Sequence, residues 1–147
     1  MKLFTIGFTK KSADKFFSML TDAGVRRVID IRLNNTSQLA GFAKKDDLIY
    51  FLKKIGDIDY IHWPELAPTQ DIMDEFKKKK GSWDTYEKKF LTLLTKRGVE
   101  NKILKSDLEA SCLLCSEEKP QKCHRRLVAE YFGKKWPEIE IVHLIWR

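Results

Sequence analysis

Residues 3–33 read LFTIGFTKKSADKFFSMLTDAGVRRVIDIRL, and the changing hydrophobic period along this stretch decides the fold. Leu3-Phe4-Thr5-Ile6 is a short apolar run stopped by Gly7, the pattern of a buried strand. Over 11–23 the apolar residues Phe16, Phe17, Leu20 and Ala23 recur at helical spacing. Ser12 is placed to cap that helix at its start and Gly24 to close it at its end. Residues 25–33 return to a strand pattern, with Val28, Ile29 and Ile31 apolar. Strand, helix and strand in about 30 residues make one βαβ unit, which is right-handed in nearly every known protein.

The rest of the chain continues the alternation. Residues 34–44 are polar and turn-rich, a loop. A helix is expected over 46–54, with Leu48, Ile49 and Leu52 on one stripe, and a third strand over 58–63, halted by Pro64. Residues 68–81 are ambiguous: Ile72, Met73 and Phe76 suit a short helix that runs into Lys77-Lys78-Lys79-Lys80. Tyr86, Phe90, Leu93 and Leu94 mark a clearer helix over 83–96. A fourth strand is expected over 108–115, a helix from 120–122 to 132, and a fifth strand over 139–145. The expected fold is α/β, a single three-layer α/β/α domain over 1–147 with a mostly parallel sheet of about five strands.

Composition narrows the function classes. Hydrophobic residues make up 43% and charged residues 33%, enough for a core beneath a charged surface and unlike a disordered chain. No apolar run approaches the ~18 residues that cross a bilayer, so no membrane association is expected. Three cysteines without framework spacing suggest free thiols in a reducing cytoplasm. The formal net charge of +7 favours polyanionic partners: a phosphate-bearing small molecule or nucleic acid. Residues 74–105 alone hold ten Lys/Arg against five Asp/Glu. Such a run also serves solubility, so it does not by itself make a binding face.

Ligands of open parallel sheets bind beyond the carboxyl ends of the strands. That rule gathers Gly7-Phe8-Thr9, Asp30-Ile31-Arg32, His62-Trp63 and Cys115-Ser116-Glu117 on one rim. Asp30 and Arg32, two apart, share a strand face. They suit an anion clamp with its orienting carboxylate, or an ion pair that seals the sheet edge. Cys123, His124 and Arg125 fall in the first turns of the last helix, where backbone N–H groups favour an anion and a thiolate. Helical phase leans Cys123 and His124 towards the sheet and pairs Arg126 with Glu130 at the surface.

Thr5-Ile6-Gly7, Ile29-Asp30-Ile31-Arg32 followed by Ser37, and Leu113-Leu114-Cys115-Ser116-Glu117 with Cys123-His124-Arg125 together resemble the family catalogued as domain of unknown function 488. The resemblance runs through essentially the whole chain in order, and its Cys-x-Glu to Cys-His-Arg pairing is the specific part. The family usually has His-Ser where this chain has Phe8-Thr9, and commonly Pro where it has Asn34. The resemblance implies the fold and the site, and no reaction.

Three chemistries can use these residues. Cys112, Cys115, Cys123 and His124 offer zinc ligands, but Cys112 and Cys115 sit three apart in a strand and point to opposite faces, so no metal and no cofactor is expected. Cys115 as thiolate with His124 as base suits nucleophilic catalysis, unless both cysteines are simply buried. Arg32, Arg125, Cys123, Thr9 and Ser37 suit noncovalent binding of a phosphate or nucleotide, with Cys115, Glu117, His124 and Asp30 as the catalytic candidates. The favoured reading is binding of a phosphate-bearing ligand, with catalysis left open. The alternative is a noncatalytic nucleic-acid module that uses a basic helical face at Lys77, Lys78, Lys79 and Lys80. Trp63, Trp136 and Trp146 read as packing, and His143 as structural or exposed.

Overall fold

A computed structural model of the chain describes residues 1–36, 41–117 and 119–146. The opening unit is β1 (Lys2–Gly7), α1 (Ala13–Ala23) and β2 (Arg27–Asp30). Ser12 caps α1 by accepting from the Lys15 N–H. Gly24 closes it at φ 78°, a left-handed position that glycine adopts without a Cβ penalty. Next come α2 (Lys45–Gly56) and β3 (Asp59–His62), then α3 (Gln70–Lys77) and α4 (Trp83–Arg97). The chain ends with β4 (Ser111–Cys115), α5 (His124–Lys135) and β5 (Glu140–His143).

All pairings in the sheet are parallel, and the strand order is β3-β2-β4-β1-β5. The architecture is the three-layer α/β expected. Two cores lie on opposite faces. Phe4, Ile6, Val28, Cys112 and Leu114 pack with α1 and α2 on one face; Leu3, Ile29, Leu113, Cys115 and Leu127 pack with α4 and α5 on the other. Alternate residues of each strand go to alternate cores, as the period of two requires.

Some element bounds differ from the sequence reading, each for a local reason. The ambiguous 68–81 segment is helical only to Lys77, after a start capped by Thr69. Leu108 belongs to a 3-10 turn (Lys105–Leu108), and Ala110 at φ 55° turns the chain into β4. The last helix begins at His124 rather than near 120–122, with Cys123 at its N-cap position.

The order of the strands places the site. β1 and β2 each hand on to a helix of the α1–α2 face, and β4 hands on to α5 on the opposite face. Connections therefore diverge on both sides of β4. The carboxyl end of β4, between β2 and β1, is the switch point where such sheets form a crevice.

Candidate functional site

The β4–α5 connection is locked onto the end of β1. Thr9 donates both its N–H (3.0 Å) and its hydroxyl (2.5 Å) to the Ser116 carbonyl. Arg125, fully buried, donates Nε to Thr5 Oγ1 at 3.2 Å and Nη1 to the Glu117 carbonyl and to Cys115 Sγ. Burial pushes the Arg125 guanidinium down to about 10. Gly7 is what allows this approach: a Cβ there would stand 1.6 Å from the Glu117 carbonyl oxygen and 2.7 Å from Arg125 Nη1. The glycine that ends the first apolar run is thus a packing requirement of the site.

Under this loop lies a small cleft lined by Tyr86 and Trp83 of α4, Phe76 of α3, and Cys115, Cys123 and His124. Trp83 and Tyr86 stack on one another at 4.7 Å, so they form a wall. The cleft has an inner volume of about 40 Å³, room for a water molecule or an ion and far below a nucleotide. One ligand atom from each of Cys115, Cys123 and His124 lies within 4.8 Å of the others. Cys115 and Cys123 are joined as a disulfide, with Cα atoms 7.5 Å apart. This corrects the expectation of free thiols for Cys115 and Cys123: the chain after β4 brings Cys123 back to the strand end, and among the described residues Cys112 alone is a free cysteine. Cys112 is in the other core, and burial raises its thiol pKa.

His124 Nε2 donates to the Ile31 carbonyl at 2.7 Å; a carbonyl only accepts, so Nε2 carries the proton. Burial, with help from the Arg125 and Lys77 charges, pushes the ring down to about 4 against the opposing Ile31 bond. His124 is therefore neutral at pH 7, and its second nitrogen, Nδ1, holds a lone pair.

Asp30 and Arg32 face the other way, towards α1 and α2. Asp30 is fully buried and Arg32 3% exposed. The Asp30 carboxylate accepts Arg32 Nε and Nη2, each at 2.8 Å, and Tyr60 Oη at 2.6 Å. The Arg32 guanidinium lies 5.5 Å from the Phe8 ring centroid. Its Nη1 is buried with no hydrogen-bond partner among the described residues. Ser37, expected beside Arg32, falls outside the described residues. The sheet thus separates Asp30 and Arg32 from Cys115, Cys123 and His124. Backbone at the end of β2 links the two groups: Ile31 accepts from His124, and Arg32 accepts from His62 Nε2 at 2.8 Å.

The open part of the rim is a second cleft of about 570 Å³, lined by Thr9, Lys10, Glu117, Lys119, Gln121 and Lys122. Glu117 borders both clefts, and its carboxylate meets Lys77 Nζ at 3.1 Å. Lys10, Lys119 and Lys122 were missed at the sequence level, although Lys119 and Lys122 flank Pro120 inside the Cys-x-Glu to Cys-His-Arg stretch. The Lys77–Lys80 run is not a helical face: α3 ends at Lys77, Lys80 has φ 54°, and Lys78 pairs with Asp74 at 3.6 Å. Arg126 does pair with Glu130, at 3.2 Å. His143 is partly buried, with Nδ1 at 2.6 Å from Thr5 Oγ1.

A family model described as "Domain of unknown function DUF488" matches residues 12–132. The chain belongs to the DUF488 family. No curated protein and no solved structure matches the chain. The matched segment holds Asp30-x-Arg32, Cys115-x-Glu117 and Cys123-His124-Arg125, and it leaves β1 and β5 outside. In this DUF488 chain the Cys-x-Glu and Cys-His-Arg residues form one interlocked group, because Arg125 holds both the Glu117 carbonyl and Cys115 Sγ. Asp30 and Arg32 form a second group behind the sheet. Among the described residues no helix is long and apolar enough to cross a membrane.

Proposed function

We propose that the protein binds a phosphate-bearing ligand of the nucleotide or nucleic-acid class in the open cleft over the β1 and β4 ends. The observation that carries this reading is the convergence of Lys10, Lys119 and Lys122 on a cleft of about 570 Å³ at the switch point of the sheet. That volume lies within the ~300–1,000 Å³ usual for ligand sites, and the position is where parallel sheets place them. The protein's net charge of +7 adds attraction for an anion.

In this reading the lysines hold the phosphate and Arg125 is a positioning residue, since it is buried and fixes the loop that carries Glu117. Thr9 contributes the shape of the rim, because its hydroxyl already serves Ser116. Acid–base work falls to Glu117, the carboxylate that borders the ligand cleft, with neutral His124 behind it. Asp30 and Arg32 brace the neighbouring strand end. A polynucleotide would extend from the cleft past Lys77, next to Glu117, onto Lys78, Lys79 and Lys80.

The test is titration with nucleoside mono-, di- and triphosphates and with a mixed-sequence oligonucleotide, read by calorimetry and thermal shift. Wild type binds and gains thermal stability; Lys119→Ala with Lys122→Ala loses both. For an oligonucleotide, each lysine removed lowers the salt slope by about 1. Indifference of the wild type to the whole panel overturns the reading. Loss of oligonucleotide binding only on mutation of Lys78, Lys79 and Lys80 moves the site to the basic run.

A further inference from the structure

We propose that Cys115, Cys123 and His124 form a binding site for one thiophilic divalent cation such as zinc in the dithiol state of the protein. The expectation of no metal rested on Cys112, which the strand period sends to the opposite core. The structure replaces it with Cys123. Two thiolates and one imidazole are a known zinc set, and three protein ligands with a fourth position open is the pattern of sites that keep a place for water or substrate.

Four observations meet here. One possible ligand atom from each of the three residues lies within 4.8 Å of the others, and all three residues line one cleft. The Cα atoms of Cys115 and Cys123 stand 7.5 Å apart, wider than the ~4.4–6.8 Å usual for a disulfide. Thiolates ~2.3 Å from a shared tetrahedral ion are about 3.8 Å apart, which suits the wider spacing. His124 has one ring nitrogen committed to the Ile31 carbonyl, the outer bond that metal-ligating histidines commonly make, and this leaves Nδ1 for the ion. Arg125 Nη1 lies 3.5 Å from Cys115 Sγ and stabilises the thiolate form. Cys115, Cys123 and His124 line an inner volume of about 40 Å³ together with Phe76 and Trp83, room for an ion and one further ligand atom.

The disulfide and the metal site are alternative states of the same two sulfurs. A phosphine reductant supplies the electron pair that breaks the S–S bond, and water supplies its oxygen to the phosphine and two protons to the sulfurs. On metal binding the two thiols release those protons. The site stands without the phosphate reading, and its test uses no phosphate.

The experiment takes untagged protein, reduces it with a phosphine, and titrates it with cobalt(II) and then zinc. One cobalt per chain binds with sulfur-to-metal charge-transfer absorption, and zinc displaces it. Cys115→Ser and Cys123→Ser each lose about half or more of that absorption and bind about tenfold or more weakly, while Cys112→Ser behaves as wild type. A second readout needs no variant: zinc shields Cys115 and Cys123 of the wild type from alkylation, located by mass spectrometry. Absence of both charge-transfer absorption and shielding in protein with titratable thiols overturns the proposal. So does absorption of full wild-type intensity in both single variants, or absorption that Cys112→Ser removes.

Discussion

The carboxyl edge of the sheet carries two polar groups, one on each side of the same strand ends, and they are built differently. On the α1–α2 side the Asp30 carboxylate is enclosed by Arg32 and Tyr60, and both charges are sealed from solvent. On the other side the polar atoms of Cys115, Glu117, Cys123 and His124 line clefts that open to the surface. Linear sequence makes the two motifs look alike, a charged or reactive residue at a strand end. The lesson is that surroundings distinguish them: a carboxylate enclosed by its counter-ion and sealed from solvent braces a fold, and a group with surrounding space is available to a ligand.

The largest effect follows from breaking the sealed side. Asp30→Ala leaves Arg32 buried without its counter-ion and costs about 3–5 kcal/mol in urea unfolding. Asp30→Leu with Arg32→Met costs clearly less, since no orphan charge remains. An Asp30→Ala protein as stable as wild type would mean that the pair is not structural. Gly7→Ala comes next. Its Cβ meets backbone, which flexes little, so the loss is about 3 kcal/mol or more, with displacement of the β4–α5 loop. A Gly7→Ala protein of full stability would contradict the close approach of Glu117.

His124 gives the pH dependence of the open side. Its folded pKa of about 4 lies below its ordinary 6.5, so between those values the unfolded chain holds the extra proton. The contribution to stability is complete above pH 6.5 and is lost as pH falls through 6.5 towards 4. Between pH 7 and pH 5 that loss is about 2 kcal/mol, and it disappears in His124→Asn; equal pH dependence in the two proteins would refute the neutral, partly buried ring. Tyr60→Phe removes one bond to the Asp30 carboxylate and costs about 1.5 kcal/mol by thermal unfolding. The smallest effect is in the exposed lysines. Lys119→Ala and Lys122→Ala change stability by less than about 0.5 kcal/mol, while ligand affinity falls.

Much of the fold was legible because its signals are local. Ser12, Gly24 and the spacing of Phe16, Phe17 and Leu20 define α1 without tertiary help. The gathering of Gly7, Asp30, Cys115 and His124 at one edge followed from the rule for parallel sheets. Strand order was not legible, and neither was the face on which each motif would lie. Arg125 read as an anion ligand from its place in the first turn of a helix; its phase instead points it at Thr5 and the Glu117 carbonyl. Tyr60 and Asn35 carried no signal, since their role depends on β3 lying beside β2. Lys10 meets Lys119 and Lys122 only because β1 and β4, more than a hundred residues apart, are neighbours in the sheet.

The most direct test of the difference between the two sides is amide NMR of the isotope-labelled protein during titration with a nucleoside monophosphate and with a short oligonucleotide. The account predicts shifts that cluster at Thr9, Lys10, Glu117, Gln121 and Lys122, with the amides of Asp30, Arg32 and Tyr60 little changed. Shifts concentrated at Asp30, Arg32 and Tyr60, or none at saturating ligand, would contradict it.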